Sequence, residues 1–445
     1  MDLLKDGMES MRIEIGQDAV SAVNEETQKG RIPRGTVCVA YVSGCPRSAL
    51  DTSTLFGYLR TNGWSVIQRL EEADLIIVSA CGFSADQANK SFERLRLVDA
   101  RRKPDAHVIV LGCLAGIEAD RLKETFKFTI VPPSIIQRLD EILGAETRLV
   151  DIPPANWITP YICRAKCCWT PGDLSTQVTM RLRLWHALRH LAARFNPEGK
   201  GASLLRCVWR LRSYGPLYRI RVTRGCSEKC SYCAIRLAIG PIQSRPPDDV
   251  FAEFVHGIRL GYRRFEVLGE DVGWYGQDVG GDLVGLLERF LNYADRVQFR
   301  IADIHPKSFF RFAQPLGALL AARTRATHHI VVPVQSGSDR VLKAMCRPYT
   351  AAQLYESFAS VEPTRSSMYL ATHALVGFPG ETEEDFQATV ALLQTVKFDE
   401  IQIYAYTDRP YVPACDFAPK VPEADKHNRI AHLLEEFPEA KFISC

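Results

Sequence analysis

The sequence predicts an α/β protein in two parts, an open Rossmann-like parallel sheet followed by a (β/α) barrel of TIM type. Three observations carry this. From Thr36 onward, short apolar runs alternate with amphipathic helical stretches, the rhythm of parallel strands joined by crossover helices. Runs such as Asp74-Leu75-Ile76-Ile77-Val78 are continuously apolar, as strands in a sheet covered on both faces must be. At 445 residues the chain has room for two or three domains with sizeable cores.

Composition narrows the class further. With 46% hydrophobic and 24% charged residues the chain reads as an ordinary soluble globular protein. No apolar run reaches the length of a membrane span, and residues 1–34, polar and mixed in charge, lack the apolar segment of a secretory signal. They read as a tail or a loosely attached helix. The net charge of +3 is too small to argue for nucleic acid. The 14 cysteines would form disulfides only in an oxidising compartment. Without an export signal, metal or cluster ligation is the better reading, and the expected location is cytoplasmic.

In chain order, residues 36–42 form an apolar strand that ends in Ser43-Gly44-Cys45-Pro46. A helix over 48–62 leads to a second strand at 63–67. The third strand, 74–78, ends in Ser79-Ala80-Cys81-Gly82-Phe83. A helix over 85–102 then leads to the strand at 107–111 and to Gly112-Cys113. The same event thus occurs three times: a buried strand stops at a cysteine beside a glycine. In an open α/β sheet the carboxyl ends of the strands share one edge, where ligands bind. One such cysteine is ordinarily a small core residue. Three of them on a common edge point to a shared cluster.

Residues 114–159 complete this domain and run into a linker with Pro132-Pro133 and Pro153-Pro154. Residues 160–215 then hold ten Lys and Arg against two acids, with Cys163, Cys167 and Cys168 at the front and Cys207 near the end. Within them, 181–195 reads as a basic amphipathic helix. Three readings stand for this insertion: a solvated segment packed on the barrel, a lid or site for an anionic substrate or carrier, or a third metal site.

A strand at 218–222 feeds the most informative stretch, Arg224-Gly225-Cys226-Ser227-Glu228-Lys229-Cys230-Ser231-Tyr232-Cys233. By chance, this CxxxCxxC spacing would arise roughly 0.01 times in such a chain. Three thiolates so spaced can ligate three irons of a [4Fe–4S] cube and leave the fourth open. A closed zinc site would want a fourth Cys or His close by, and none follows. Beyond it the chain alternates in the manner of a parallel barrel. A helix at 248–260 precedes a strand at 264–268, which ends in Gly269-Glu270-Asp271. A helix at 281–293 precedes the strand at 297–301, followed by Asp303-Ile304-His305-Pro306. The strand at 329–334 ends in Gln335-Ser336-Gly337-Ser338-Asp339, and the one at 369–376 enters Gly377-Phe378-Pro379-Gly380-Glu381-Thr382. The run at 400–406 reads as the last strand, and a helix over 423–436 follows. Thr382 with Glu383, Glu384 and Asp385 makes a good helix start. His305, His328 and His329 lack metal spacing and read as hydrogen-bonding groups.

The cysteine stretch resembles the signature of the radical-SAM enzymes. Gly44-Cys45-Pro46 with Asp51, Ala73 to Val78 with Cys81-Gly82-Phe83, and Gly112-Cys113 are similar to the amino-terminal domain of the radical-SAM methylthiotransferases. The segments 334–345 and 376–386 match that family as well. The resemblance covers roughly residues 36–115 and 216–435. It implies a Rossmann-like amino-terminal domain (35–152), a linker and basic insertion (153–215), and an incomplete (β/α) radical-SAM TIM-type barrel with a carboxy-terminal helix (216–445). It further implies two [4Fe–4S] clusters and S-adenosylmethionine as cofactors. Cys226, Cys230 and Cys233 would hold the cluster that cleaves S-adenosylmethionine to a 5′-deoxyadenosyl radical. Cys45, Cys81 and Cys113 would hold an auxiliary cluster that carries the sulfur.

By the same resemblance Gly269 and Glu270 fall where the cofactor's amino group binds, and Tyr232 lies beside the cofactor. Gln335 and Ser336 fall near cofactor or substrate. No catalytic residue beyond the clusters is expected. Four departures stand out: Ser48 for the usual Asn, Ser79-Ala80 for Asn-Thr, Glu270 for Gln, and Tyr411-Val412 for Gly-Thr. Family members also continue into a small β-barrel, the TRAM domain, which this sequence does not contain. On that ground a small molecule or peptide is the expected substrate. A tRNA or ribosomal-protein substrate is the alternative, nucleic acid being possible but not favoured. A non-catalytic iron–sulfur or RNA-binding protein is the reading of another class. An electron donor such as flavodoxin or ferredoxin is an expected partner, and a membrane is not.

Overall fold

The computed structural model describes residues 32–41, 45–154, 156, 217–323 and 326–443. The basic insertion, its expected helix at 181–195, Cys163, Cys167, Cys168 and Cys207, and Gly44 lie outside the described residues, as do residues 1–31. Residues 32–34, expected to belong to the tail, are instead built into the first domain. Ile32 is buried in its core and Arg34 pairs with Glu146.

Five parallel strands make the first sheet: β1 (Thr36–Tyr41), β2 (Ser65–Val66), β3 (Leu75–Ser79), β4 (His107–Leu111) and β5 (Thr129–Val131), in the order β2-β1-β3-β4-β5. β5 was not legible in the sequence, being only three residues long. Successive side chains of a strand point to opposite faces. Ile76, Val78, Val108 and Val110 therefore enter one core with Phe92 and Leu95 of the helix Ala85–Arg101. Leu75, Ile77 and Ile109 enter the other with Leu55 and Tyr58 of the helix Pro46–Thr61. The strand order reverses between β1 and β3, the switch point at which open sheets of this kind bind ligands.

The second sheet begins at β6 (Tyr218–Arg221). A two-residue antiparallel ladder, β7 (Thr223–Arg224) with β8 (Gln243–Ser244), interrupts it. It continues through β9 (Arg264–Leu268), β10 (Gln298–Ile301), β11 (His328–Val331), β12 (Met368–Val376), β13 (Glu400–Ala405) and β14 (Ala440–Phe442). All seven strands are parallel, in the order β6-β9-β10-β11-β12-β13-β14, and the two edges do not meet. The barrel is therefore incomplete, as expected. The run at 400–406 is not its last strand, because β14 follows the helix Glu423–Glu436 and pairs with β13. Its Ala-Lys-Phe sequence carries no periodic signal.

Apolar strand residues such as Ile220, Val267, Phe299 and Ile301 pack outward on the helices. The intervening positions carry charge: Glu266 lies 2.9 Å from Arg219 and 3.0 Å from Arg300. Helix starts follow their local sequence. Thr382 and Asp385 form a reciprocal capping box at the helix Glu383–Val396, and Thr350 and Gln353 form another. No described helix is long and apolar enough to cross a membrane.

Candidate functional site

In the first sheet Tyr41, Ser79 and Leu111 pair in one row. The three strands thus end level, and Cys45, Cys81 and Cys113 follow within a few residues on the same edge. Each is held by its backbone. Tyr41 Oη donates to the Cys45 carbonyl at 2.8 Å. The buried Ser91 hydroxyl accepts from Cys81 N at 3.0 Å and donates to its carbonyl at 2.9 Å. Gly112 stands at φ +93°, where a Cβ would come within 2.4 Å of the Ala80 carbonyl, so the turn into Cys113 requires glycine. Burial pushes the Cys113 thiol up, and neighbouring Cys45 and Cys81 add to it. Two of the departures noted in the sequence meet here, since the hydroxyls of Ser48 and Ser79 lie 3.0 Å apart and join the first turn of the helix Pro46–Thr61 to the end of β3.

The second trio lies in the loop that the β7–β8 ladder closes. Gly225 opens it at φ +88°, with the Pro241 carbonyl 2.1 Å from where a Cβ would stand. Cys233 N donates to the Cys230 carbonyl at 3.2 Å, and the short helix Arg236–Ile239 follows. Ser231 Oγ donates to the Ala344 carbonyl at 2.8 Å and anchors the loop to the barrel. Burial is the main cause that pushes the Cys226 thiol up to about 12, and burial likewise raises Cys233.

Each trio offers three thiols, buried or half-buried, with an arginine alongside. Arg47 lies beside Cys45, and Arg347 Nη1 donates to Cys230 Sγ at 3.4 Å. Such a donor set fits an anionic thiolate-bound cluster.

The two loops are brought together across the domain boundary. Cys113 and Cys226 pack against the same apolar cluster, which joins Ile117 of the first domain to Ala234, Ala238, Ile239 and Val412 of the second. Gly116 lies so close to Ala238 that an added Cβ would stand 2.5 Å from its Cα. Arg47 donates to the Gly269 carbonyl at 2.7 Å and to Asp303 at 2.8 Å, and lies 3.7 Å from Glu270. Asp51 accepts from Arg221 at 2.6 Å and from Arg224 at 2.7 Å. The buried Arg409 donates to the Gly82 carbonyl at 2.9 Å and to Glu118 at 3.0 Å. Phe83, 49% exposed, meets Tyr404 edge-on at 6.1 Å, and His373 meets the same ring at 5.2 Å.

The other residues singled out in the sequence fall around this space. Glu270 accepts from Gly225 N at 3.0 Å, and the Gly269 carbonyl is taken by Arg47. Tyr232 packs beside Phe378, Met345 and Tyr406, with burial raising its phenol. Gln335 holds a left-handed backbone, φ +67°, and bridges to Ala374 through the backbone alone. Ser336 is fully buried: its hydroxyl contacts Thr389 Oγ1 at 3.2 Å and accepts from Ser338 N, so it anchors the loop that carries Gln335. His305 and His328 each accept from a backbone N–H, and His329 lies against the Tyr369 ring. Arg47, Asp303, Arg347, His373 and Tyr404 were not singled out from the sequence. The signal that could have found the last two is charge or polarity at alternate positions of otherwise apolar strands.

Two family descriptions match the chain: the uncharacterized protein family UPF0004 over residues 38–131, and the radical SAM superfamily over residues 220–393. The fold is similar to that of the radical S-adenosylmethionine methyltransferase TsrM from Kitasatospora setae. The TM-score is 0.55 at 15% identity, over 86% of this chain and 77% of that one. In sequence the chain is 31% identical over 395 residues to the tRNA-2-methylthio-N(6)-dimethylallyladenosine synthase of Desulfosudis oleivorans, covering 88% of this chain and 76% of that protein. It is 28% identical over 402 residues to the ribosomal protein uS12 methylthiotransferase RimO of Desulfotalea psychrophila, covering 88% and 80%. Fold and cysteine loops together define a radical-SAM enzyme. The chain belongs to the radical-SAM methylthiotransferase family, whose cofactors are S-adenosylmethionine and two [4Fe–4S] clusters.

Proposed function

We propose that this chain adds a methylthio group to a base of tRNA. Residues 35–152 carry the auxiliary cluster on Cys45, Cys81 and Cys113. Residues 216–445 carry the other on Cys226, Cys230 and Cys233, and residues 153–215 link the two. The cluster held by Cys226, Cys230 and Cys233 would cleave S-adenosylmethionine to the radical that takes the substrate hydrogen, the cluster held by Cys45, Cys81 and Cys113 would supply the sulfur, and a second S-adenosylmethionine would supply the methyl group. The protein's own part is to hold both loops at one spacing, keep the site dry and orient the substrate. Glu270, Tyr232 and Gln335 flank the cofactor. The single observation that carries this reading is the shared apolar cluster on which Cys113 and Cys226 both pack.

For the substrate, relatives named as tRNA synthases support tRNA, among them the one at 31% identity. Phe83, 49% exposed and two residues beyond Cys81, offers an aromatic face beside the first trio, and a base stacks on such a face whatever its identity. A ribosomal protein is the second reading, supported by relatives so named at 28% and 26% identity. The small molecule or peptide first expected from the sequence has no such support. An electron donor of the flavodoxin or ferredoxin class completes the system.

Anaerobic reconstituted protein is to be incubated with S-adenosylmethionine, dithionite and either tRNA or ribosomal protein, and each product searched by mass spectrometry for an added SCH3. The gain is expected on tRNA. Replacing Cys226, Cys230 and Cys233 by Ala should abolish formation of 5′-deoxyadenosine. Replacing Cys45, Cys81 and Cys113 should spare it and stop sulfur transfer. Equal loss of 5′-deoxyadenosine in both sets would overturn the division of roles, and SCH3 on the ribosomal protein alone would overturn the choice of substrate.

A further inference from the structure

Five arginines are buried among the described residues: Arg219, Arg221, Arg347, Arg409 and Arg429. Four of them pair with a carboxylate: Arg219 at 2.9 Å with Glu266, Arg221 at 2.6 Å with Asp51, Arg409 at 3.0 Å with Glu118 and Arg429 at 2.8 Å with Glu381. Arg347 is the exception. Its Nε donates to Tyr349 Oη at 2.6 Å, its Nη2 to the Pro333 carbonyl at 2.8 Å, and its Nη1 to Cys230 Sγ at 3.4 Å. The groups around it are phenols, a carbonyl, the ring of His305 and one thiol. Among the described residues no carboxylate forms an ion pair with Arg347, and Glu228, which also acts on Tyr349, pairs instead with Lys307 at 3.4 Å. Burial holds His305 neutral, its pKa pushed down to about 2, so it adds no second positive charge beside Arg347.

A charge taken out of water without a countercharge is costly by several kcal/mol, and a native structure keeps it only where a partner of opposite sign is supplied. The one atom on the guanidinium that gains a negative charge in the working protein is Cys230 Sγ, since a thiol that binds iron does so as thiolate. We propose that Arg347 is a positioning residue whose guanidinium is the countercharge of the Cys230 thiolate and so sets the reduction potential of the cluster on Cys226, Cys230 and Cys233. This rests on the reading of that trio as cluster ligands. Adding an electron makes the cluster more negative, so a cation in contact with one of its ligands favours the reduced form. Hydrogen bonds and charge near cluster sulfurs are among the levers that tune such potentials. The fork geometry matters too: one planar group binds Cys230, Tyr349 and Pro333 at once, which an ammonium cannot reproduce.

The test is a redox titration of the reconstituted full chain, followed by electron paramagnetic resonance, for wild type, Arg347→Lys and Arg347→Met. Arg347→Met should shift the potential of this cluster to more negative values, by about tenfold in the one-electron equilibrium, which is about 59 mV. Arg347→Lys should recover part of the shift, and the auxiliary cluster should not move. Where Arg347→Met fails to hold iron, Arg347→Gln, which also removes the charge, takes its place in the same titration. An unchanged potential with iron fully loaded in the charge-free variant would overturn the proposal. Iron content unaffected by Cys230→Ala would instead overturn the ligand reading beneath it.

Discussion

Gly116 is where the spacing of the two cysteine loops can be tested most directly. It sits in the helix Leu114–Ile117, one turn after Cys113, against Ala238 in the helix that follows Cys233. A Cβ at this position would stand 2.5 Å from Ala238 Cα and 2.7 Å from Ala238 Cβ. Carbon atoms in contact prefer about 3.5–4.0 Å, so Gly116→Ala forces the helices apart by roughly 1 Å. Overpacking of this kind costs about 1–3 kcal/mol. The larger effect is on chemistry, because a displacement of about 1 Å can cost around 10²-fold in rate when two reacting centres must be held in line.

The assay is the ratio of methylthiolated product to 5′-deoxyadenosine. Cofactor cleavage depends on the second loop alone and should persist, whereas product per cleavage should fall by about 10²-fold. Ala238→Gly in the same chain removes only the side-chain half of the clash and should restore part of the ratio. A Gly116→Ala protein with an unchanged ratio and unchanged stability would refute the idea that this contact sets the spacing.

Three further predictions concern the interface, the barrel and the substrate. Arg409→Met strips Glu118 of one buried partner but leaves Arg121 at 2.7 Å, so the cost falls at the lower end of the ~3–5 kcal/mol typical of a broken buried pair. Urea unfolding of the cluster-free protein should show that loss, and with Glu118→Gln added the losses should be less than additive. His328 is held neutral by burial, its pKa lowered from 6.5 to about 4, so the unfolded chain takes up a proton through that window and the native state does not. Stability should therefore fall as pH drops from about 6.5 to 4, by about 3 kcal/mol for this residue, and His328→Gln should flatten that limb in urea midpoints measured between about pH 7.5 and 5. Phe83→Ala should weaken tRNA binding by about 1–3 kcal/mol in a salt-controlled titration while leaving cofactor cleavage unchanged, and equal loss of both would count against the stacking role.

The elements that carry local signals were legible. β3 and β4 are runs of apolar residues, and Thr382 with Asp385 announces a helix start. The cysteine spacing of the second trio needs no long-range information, because its loop closes on itself through β7 and β8. β5 and β14 were missed because three residues bear no period. Arg347 was missed for another reason. It stands 117 positions from Cys230, and its significance is the absence of a carboxylate, which no pattern along the chain can display.

The sequence by itself determined the class of chemistry: two sets of thiols, their strand-end settings and the alternation that builds two parallel sheets. These follow from residue type and short-range spacing, which local conformational preference converts into structure without reference to distant chain. Only the tertiary structure decided how the two halves confront each other. The Gly116–Ala238 approach, the bridge from Arg47 to Gly269 and Asp303, and the pairing of Asp51 with Arg221 all join positions far apart in the chain. Such contacts arise from packing at a domain boundary, where fit between surfaces, and no property of either stretch alone, selects the partner.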